Sequence, residues 1–373
     1  SAEVSVRYGV AQSLVDAATL GPVVPAMADD FVTVLELTEL TPGTTYFYEV
    51  LVDGSVARSG LSFATAPEGP ATFDVAFGSC AKYTVDPAMP IFEDIAEAEP
   101  DLFLLVGDSH YAGSTNQDTL RAFFLERHRI ETVAAMHTQI PTWVTWDDWD
   151  YGGNNTDGTI VAKEAGLAAF ERFWANPTMG SGGAPGVWHS FRWGDVEFFM
   201  LDDRYHRSLA DGTMLGEEQL AWLLWGLSTS TAAFKVMASG VQWYQGSHAD
   251  TWASYSDEWQ VIIDHIMTQG IDGVLTISGD VHHAEIRRIT EASATTYPLW
   301  EVTSSPLANT SGGCSNANSD EALIFCATGV NYGLIRFDTA AADPTVSLEI
   351  HTLDGVELTS HTLTLSELST PAL

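Results

Sequence analysis

Apolar and polar positions alternate along the first part of the chain in a pattern that predicts short β-strands. The predicted strands cover residues 4–9, 31–37, 40–50 and 61–64. Tyr46, Tyr48 and Val50 follow a Pro-Gly turn and would share one face of a strand, because successive side chains of a strand point to opposite sides. The pattern predicts a small all-β sandwich domain over residues 1–67.

A different pattern begins after the linker-like segment 65–70, which contains two prolines and a glycine. Apolar runs alternate with helical spacing from there on. The predicted strands cover residues 73–77, 102–106, 141–146, 196–201, 234–238, 274–277, 284–289, 299–303, 334–337, 346–351 and 356–363, and the predicted helices cover 89–98, 160–174, 216–227 and 256–268. We expect an α/β catalytic domain over residues 72–373, in which two stacked sheets are flanked by helices (αββα).

Charge narrows the range of partners. The chain has 50 Asp and Glu residues against 15 Lys and Arg, a formal net charge of -35. Such a surface repels nucleic acid and attracts cations, and it also matches a protein adapted to salty water, where screening shortens the reach of self-repulsion. No apolar run approaches the length of about 20 residues that spans a bilayer. The chain opens at Ser1-Ala2-Glu3 without a leader, so we expect a signal peptide to have been removed.

The three cysteines are placed unequally. Cys314 and Cys326 flank a polar loop, which predicts a disulfide formed in an oxidising compartment and therefore a secreted, periplasmic or extracellular protein. Cys80 is left without a partner. It is either a small buried apolar group or a metal ligand.

Polar residues follow five of the predicted strands at the point where each strand ends. Because ligand sites of α/β folds collect at the carboxyl ends of strands, these segments are candidates for one site. They are Gly78-Ser79-Cys80, Gly107-Asp108-Ser109-His110-Tyr111, Asp147-Asp148-Trp149 with Asn154-Asn155, Asp202-Asp203-Arg204 and Gly279-Asp280-Val281-His282-His283. A single Gly-Asp pair is more often a turn or a helix cap, but several converging carboxylates repel one another, and bound cations are the usual remedy.

The types of side chain indicate which cations these would be. Thiolate, phenolate and imidazole suit a redox metal such as iron, whereas paired carboxylates and an amide oxygen suit Ca²⁺ or Mg²⁺. Asp108 lies between the two sets of ligands in the sequence, so we expect its two oxygens to bridge two metals.

These motifs, in this order, resemble those of the PhoD-like alkaline phosphatases and phosphodiesterases, members of the metallophosphoesterase superfamily. The likeness covers about residues 73–340. The resemblance implies a site with one Fe³⁺ and one or two Ca²⁺, and it also implies an N-terminal sandwich. The segment Leu-Thr-Pro-Gly-Thr-Thr-Tyr-Phe-Tyr separately resembles the late strands of fibronectin-like and purple-phosphatase-like N-terminal sandwiches. The implied ligands are Cys80, Asp108, Tyr111, Asp280 and His282 for iron, and Asp108, Asp148 and Asn155 for calcium, with Asp147 in place of Asp148 and Asn154 in place of Asn155 left open as alternatives.

One position departs from the family pattern. The family usually has His directly after Asp-Asp, where this chain has Trp149, which neither donates nor accepts a proton at ordinary pH. His110 and His283 are the nearby substitutes, or else histidines that only support or surround the site. Arg204 has the fork that matches a phosphate group, but a structural ion pair with its aspartate neighbours is an equal alternative.

We therefore expect a secreted enzyme that hydrolyses phosphate monoesters, diesters or both with a metal-bound hydroxide. The substrate would be a small-molecule or lipid phosphate ester. Two rival hypotheses are a hydrolase of other esters, such as triesters, on the same site, and a non-catalytic secreted binding protein with a degraded site, for which Trp149 is the motivating feature.

Overall fold

The N-terminal unit is an all-β element with one antiparallel sheet. The computed structural model describes residues 2–246, 250–314 and 320–371. The first four strands are β1 (Val4–Gly9), β2 (Ala18–Val23), β3 (Thr45–Val52) and β4 (Ser55–Ala64), in the order β2-β1-β3-β4. Among the described residues there is no second sheet that would face this one and complete a sandwich.

The strand predicted at residues 31–37 was wrong. Asp30 and Phe31 have positive φ angles of 55° and 60°, so the chain turns sharply where the strand would begin. Asp30 also forms ion pairs with Arg121 and Arg172 of the α/β part, at 2.6 and 2.8 Å. The segment therefore serves as a connection across the two parts of the molecule, and β2, which the sequence pattern did not predict, pairs with β1 in its place.

The rest of the chain alternates strands and helices as expected. The strands are β5 (Thr72–Gly78), β6 (Leu102–Val106), β7 (Thr142–Thr145), β8 (His189–Trp193), β9 (Val196–Met200), β10 (Phe234–Ala238), β11 (Val274–Ser278), β12 (Ala284–Arg288), β13 (Trp300–Thr303), β14 (Leu323–Ala327), β15 (Asn331–Asp338), β16 (Thr345–Thr352) and β17 (Glu357–Thr364). The helices are α1 (Ile91–Glu97), α2 (Gln117–Arg129), α3 (Glu131–His137), α4 (Asp148–Tyr151), α5 (Lys163–Phe173), α6 (Glu217–Thr229) and α7 (Ser256–Thr268).

Two mixed sheets contain these strands. One has six strands in the order β17-β16-β15-β5-β6-β7, and the other has seven in the order β14-β12-β13-β11-β10-β9-β8. Strands β5, β6 and β7 are parallel to one another, as are β9, β10, β11 and β13. The carboxyl ends of each parallel set therefore meet at one edge of its sheet.

Strand β6 shows why the sheets stack. All five of its residues are buried, and they alternate between two apolar cores, as expected for a strand covered on both faces. Leu104 belongs to the core that also contains Phe198 and Val236 of the second sheet, whereas Phe103 and Leu105 belong to the core shared with α1, α2, α3 and α5. The predicted layering of two sheets with helices outside is confirmed.

Helices α2, α3 and α4 and strands β8 and β14 were not predicted from the sequence pattern. The buried positions of α2 are Leu120, Phe124 and Arg127, which have helical spacing, but one of them is charged. A buried arginine breaks the apolar stripe on which the pattern depends. The segment therefore had no continuous hydrophobic face to detect.

Two further features concern the whole chain. Cys314 and Cys326 form a disulfide with Cα atoms 5.9 Å apart, and Cys80 is a free, buried cysteine, as predicted. Residues 315–319 of the loop between them lie outside the described residues.

A hydrogen bond joins the N-terminal sheet to the α/β part, because the Tyr48 hydroxyl donates to the Thr138 carbonyl at 3.1 Å. The domain boundary at residues 67–72 stays a prediction. Within the described ranges, no helix has the length and apolar character needed to cross a membrane.

Candidate metal centre

The loops that follow β5, β6 and β7 are joined by their backbones. Cys80 N–H donates to the Gly107 carbonyl at 3.3 Å, and Gly107 N–H donates to the Thr145 carbonyl at 3.1 Å. A Cβ atom on Gly107 would lie 2.4 Å from the Cβ of Asp147, and the φ of Gly107 is +94°, so glycine is required for this approach. Three of the five strand-end motifs are therefore brought together by these bonds.

Three carboxylates lie at the middle of this edge. Asp108, Asp147 and Asp148 each offer an oxygen atom, these atoms lie within 4.8 Å of one another, and all three residues are buried. We call these three residues the acidic centre. Burial raises the pKa of Asp108, and the charges of Asp148, Asp150 and Asp280 raise it further. Neighbouring carboxylates also raise the pKa of Asp147, although burial is the larger cause. Without a cation, this arrangement opposes its own ionisation.

Cys80 borders the acidic centre. Its sulfur lies 3.6 Å from Asp108 Oδ2 and 3.7 Å from the Asp280 carbonyl, and the residue is fully buried. Burial and the two aspartates raise the pKa of the Cys80 thiol. The sequence left open whether Cys80 is a packing residue or a ligand, and the structure brings its sulfur to the carboxylates.

Tyr111 and His282 meet across the site. The Tyr111 hydroxyl lies 3.4 Å from His282 Nε2, although 171 residues separate them. The Asn309 side-chain amide lies 3.3 Å from the same nitrogen. Burial raises the pKa of the Tyr111 phenol and lowers that of the His282 imidazole.

Backbone strain is concentrated in the candidate ligands. Five of them adopt the left-handed conformation that non-glycine residues rarely occupy, namely Cys80, Asp108, Asn155, Asp280 and His282, with φ between 54° and 63°. Such strain costs of the order of 1 kcal/mol or more at each residue and persists where surrounding structure holds it. Its repetition at strand ends indicates a site whose side-chain directions matter more than local stability.

The two asparagines are placed differently from the carboxylates. Asn155 N–H donates to Asp148 Oδ2 at 2.6 Å, whereas its side-chain oxygen accepts from the Asn154 amide at 3.0 Å. Both asparagines are exposed. The structure thus links the backbone of Asn155 to the acidic centre, and a ligand role for either side chain stays a prediction.

Arg204 is held in a buried ion-pair network. Its Nε donates to Asp147 Oδ1 at 2.6 Å, and its Nη2 donates to Asp250 Oδ2 at 2.7 Å. Asp203 Oδ1 lies 3.5 Å from the same Nε, and the side chain is fully buried. Burial would lower the pKa of the guanidinium, but the surrounding carboxylates outweigh this and raise it. These contacts match the ion-pair alternative for Arg204, and a contact with phosphate stays untested.

The two substitute histidines are engaged elsewhere. The His110 ring is fully buried with its centroid 4.3 Å from that of Phe124, and burial lowers its pKa to about 3. The His283 ring lies between the Val281 carbonyl at 3.0 Å and Glu285 Oε1 at 2.9 Å. The structure does not bring either imidazole into contact with the acidic centre through any of these bonds.

Sequence reasoning missed three residues that shape the site. Asp150 accepts hydrogen bonds from Ser109 N–H at 3.1 Å and His110 N–H at 3.2 Å, which fixes the loop after β6 against α4. Asn309 contacts His282, and Lys82 places its ammonium over the rings at the site. Asp150 had a signal, because it follows Asp147 by three residues at a helix start, where a capping box forms. Asn309 and Lys82 follow no motif.

The donor set fits a centre with more than one metal. Asp147 Oδ2 and Asp148 Oδ1 are buried and have no hydrogen-bond partner among the described residues. Such oxygens are costly unless a ligand satisfies them. A thiol, a phenol and an imidazole next to them suit iron, while the carboxylates suit calcium.

Comparison with known proteins agrees with this geometry. A family model described as PhoD-like phosphatase matches residues 75–327. Alkaline phosphatase D of Bacillus subtilis (strain 168) is 23% identical in an alignment of length 308 that covers 66% of this chain and 52% of that protein. The chain thus spans about half the length of this curated relative.

Solved structures share the fold. The chain superposes on a structure described as PhoD with a TM-score of 0.77 and 18% identity, over 97% of this chain and 86% of the other. It superposes on purple acid phosphatase PPD1 from seeds of yellow lupin (Lupinus luteus) with a TM-score of 0.68 and 14% identity, over 97% and 69% of the two chains. At these identities the likeness concerns the fold.

Proposed function

This chain belongs to the PhoD-like phosphatase family, and from that premise we propose that it hydrolyses phosphate monoesters, diesters or both at the acidic centre. The observation that carries the proposal is the set of three buried carboxylates, Asp108, Asp147 and Asp148, within 4.8 Å of one another. Cys80, Tyr111 and His282 surround them with softer donors. Phosphate esters are poor electrophiles near neutral pH, and clustered cations are a common means of hydrolysing them.

The implied metals are one Fe³⁺ with one or two Ca²⁺. Cys80, Asp108, Tyr111, Asp280 and His282 would hold the iron, and Asp108 with Asp147 or Asp148 and Asn154 or Asn155 would hold calcium. When bound, these cations supply an activated water and neutralise the phosphoryl oxygens. Asp108 would contribute to holding both kinds of metal, because it lies close both to Cys80 and to the other two carboxylates.

The protein's own residues hold this geometry. Arg204 neutralises Asp147 and fixes its direction, so we propose a positioning role for this arginine and not a direct contact with the reacting group. Asp150 ties the loop that bears Asp108 to the helix that begins at Asp148. The contacts of His110 and His283 support a structural role for both, so leaving groups that need no protonation by a histidine would be hydrolysed fastest.

Substrate turnover and metal content test the proposal together. Purified protein is assayed with p-nitrophenyl phosphate, its bis-ester and a phosphotriester, and its metals are measured by elemental analysis. Hydrolysis of the mono- or diester with iron and calcium bound is the expected result. Preference for the triester would favour the rival hydrolase, and bound metal without any turnover would favour a non-catalytic binding protein.

Tyr111→Phe tests the identity of the metal. An iron-bound phenolate produces a visible charge-transfer band, so we expect wild-type protein to be coloured and the variant to lose both the band and most of its activity. The change removes one oxygen and little volume. Tyr205→Phe is a matched control, because Tyr205 is also buried but lies in the aromatic core. A colourless wild-type protein with full activity would contradict the assignment of iron.

Location and salt adaptation are also proposals. The Cys314–Cys326 disulfide supports export to an oxidising compartment. The net charge of -35 supports adaptation to salt, because screening weakens self-repulsion. Thermal unfolding should therefore shift to higher temperature as NaCl is raised, and a flat profile would count against the adaptation.

A further inference from the structure

Lys82 places a positive charge beside Tyr111 and Trp149, and the Trp149 backbone N–H donates to Asp108 Oδ1 of the acidic centre at 3.2 Å. Its ammonium lies 4.9 Å from the centre of the Tyr111 ring and 5.8 Å from that of Trp149. The two rings are themselves neighbours, with centroids 5.2 Å apart. The lysine is half-buried.

The backbone fixes the origin of this side chain. Lys82 N–H donates to the Ala308 carbonyl at 2.7 Å, and Ala81 N–H donates to the Asp108 carbonyl at 2.9 Å. Lys82 is thus anchored between the loop that bears Asp108 and the segment that bears Asn309. Its position next to the site follows from this pairing and not from the flexible stem alone.

The charge of Lys82 is not used by any ion pair in residues 2–246, 250–314 and 320–371. Arg204, by contrast, is bound by Asp147 and Asp250. The chain has only three lysines against 50 acidic residues. It is therefore unexpected that the ammonium of Lys82 pairs with no carboxylate of the nearby acidic centre. Contact with aromatic faces stabilises a partly exposed cation only weakly, so a bound anion would readily compete with the rings for the ammonium.

Trp149 defines what the lysine can do. The family that this chain resembles usually has a histidine at this position, whereas this chain has Trp149, whose indole does not transfer a proton at ordinary pH. The indole face supports the ammonium and does not compete for it. Lysine is a compact charge on a flexible stem, so it can turn from the rings towards an anion bound over Asp108 and Asp148.

We propose that Lys82 binds a non-bridging oxygen of the substrate's phosphoryl group and thereby selects phosphate monoesters, which carry two negative charges, over diesters, which carry one. This role rests on the proposed hydrolysis of phosphate esters at the acidic centre. Lys82 binds substrate through its fixed charge, and Trp149 and Tyr111 are the platform that keeps the ammonium near the site.

The test compares Lys82→Met and Lys82→Arg with Lys235→Met. Lys235 lies at the amino end of β10, away from the carboxyl ends that form the site, and its replacement removes the same charge from the protein. A charge-assisted hydrogen bond contributes about 1.5–3 kcal/mol, which is about a 10- to 100-fold change. We expect kcat/KM for p-nitrophenyl phosphate to fall by this factor in Lys82→Met, mostly through KM, and the bis-ester to change less than about threefold.

Lys82→Arg should recover most of the loss, because it restores the charge, and Lys235→Met should resemble wild type. Equal losses for both esters, or equal losses in Lys82→Met and Lys235→Met, would overturn the proposal. Thermal unfolding checks that each variant is folded, and Lys82→Gln replaces the methionine variant if that protein does not fold.

Binding of inorganic phosphate provides a readout that needs no turnover. Calorimetric titration of the metal-loaded proteins should show affinity about tenfold weaker in Lys82→Met than in wild type or Lys82→Arg. Unchanged affinity in Lys82→Met overturns the role of Lys82. If wild-type protein hydrolyses neither ester but binds phosphate through Lys82, the proposed function fails while the assignment of this phosphate contact stands.

Discussion

Two buried groups of ionisable residues lie next to each other in the α/β part of the chain, and they differ in how the charges of their members are compensated. One is the acidic centre, which collects carboxylates. The other, which we call the basic cluster, consists of His110, Arg127, His128 and His137. A single loop joins them, because Asp108 belongs to the first and His110 to the second.

The basic cluster avoids excess charge by keeping its histidines neutral. Burial and the charge of Arg127 lower the pKa of His128 to about 4 and lower that of His137 well below its ordinary value. Arg127 is fully buried, lies over the Trp174 ring at 4.9 Å and contacts His137 Nε2 at 3.2 Å. The cluster is therefore one cation surrounded by aromatic rings and neutral imidazoles.

The carboxylates of the acidic centre are not compensated in this way. Arg204 is the single guanidinium that contacts it among the described residues, and that arginine also serves Asp203 and Asp250. Burial raises the pKa values of Asp108, Asp147 and Asp148, and nearby carboxylates, Asp250 in the case of Asp148, raise them further. The basic cluster thus keeps a single charge among neutral imidazoles, whereas the acidic centre collects several carboxylates that oppose one another's ionisation, so the proposed cations would have a role in the acidic centre and none in the basic cluster.

Of the changes considered, Asp108→Asn should have the largest effect on activity. It removes the carboxylate that lies between both sets of donors, and because loss of an outer-shell partner already costs about 10–100-fold in a metal site, we expect activity to fall by more than about a hundredfold. Metal-free variant should unfold at a higher temperature than metal-free wild type, because one buried like charge is gone. Asp118→Asn on the exposed first turn of α2 is the control and should change neither quantity. Unaltered activity in Asp108→Asn would remove the acidic centre as the reaction site.

Metal removal should have the next largest effect, which is on the stability of the folded protein. Ligands that bind only the folded state add about 4 kcal/mol of stability at a thousand times their Kd, so a chelator should lower the unfolding temperature of wild type substantially. Asp108→Asn should lose much less on chelation. Calorimetry with and without a chelator measures both effects, and an equal shift in the two proteins would place the stabilising cation elsewhere.

Mild acid should affect the basic cluster. The folded-state pKa of His128 lies near 4, below the ordinary 6.5, so the unfolded chain binds protons more readily and stability falls as pH drops from 6.5 to 4. We expect His128 to account for about 2 kcal/mol of this loss. His128→Asn retains a donor for the Phe124 carbonyl but does not titrate, so its stability should depend less on pH in this range. Parallel pH profiles of denaturant unfolding for the two proteins would contradict the prediction.

Arg127→Met should have the smallest effect. Its Nε and Nη2 have no hydrogen-bond partner among the described residues, and a hydrophobic side chain of similar length avoids the cost of a buried charge. We expect stability to change by no more than about 1 kcal/mol and activity to be retained. The pKa of His137 measured by NMR should rise, because the charge of Arg127 helps to lower it. Loss of activity would instead tie the basic cluster to the reaction.

The candidate ligands were predictable because their signals are local. Asp108, Asp147 and Asp280 follow β6, β7 and β11, and these three strands were predicted close to their observed positions. Parallel strands bring their carboxyl ends to a common edge, so a list of strand ends is also a list of neighbours. The same argument offered His110 and His283, whose rings turn away to Phe124 and Glu285.

By itself, the sequence determined the αββα layering, the disulfide and the residues that meet at the sheet edge, because apolar periodicity and strand-end motifs depend on neighbouring positions in the chain. Only the tertiary structure decided that Asn309 contacts His282, that Asp250 shares Arg204 with Asp147, and that Lys82 faces Trp149. These contacts join segments that are 27 to 67 positions apart in the chain. Side-chain direction at such contacts is set by packing between loops, for which no local pattern of hydrophobic and polar residues exists.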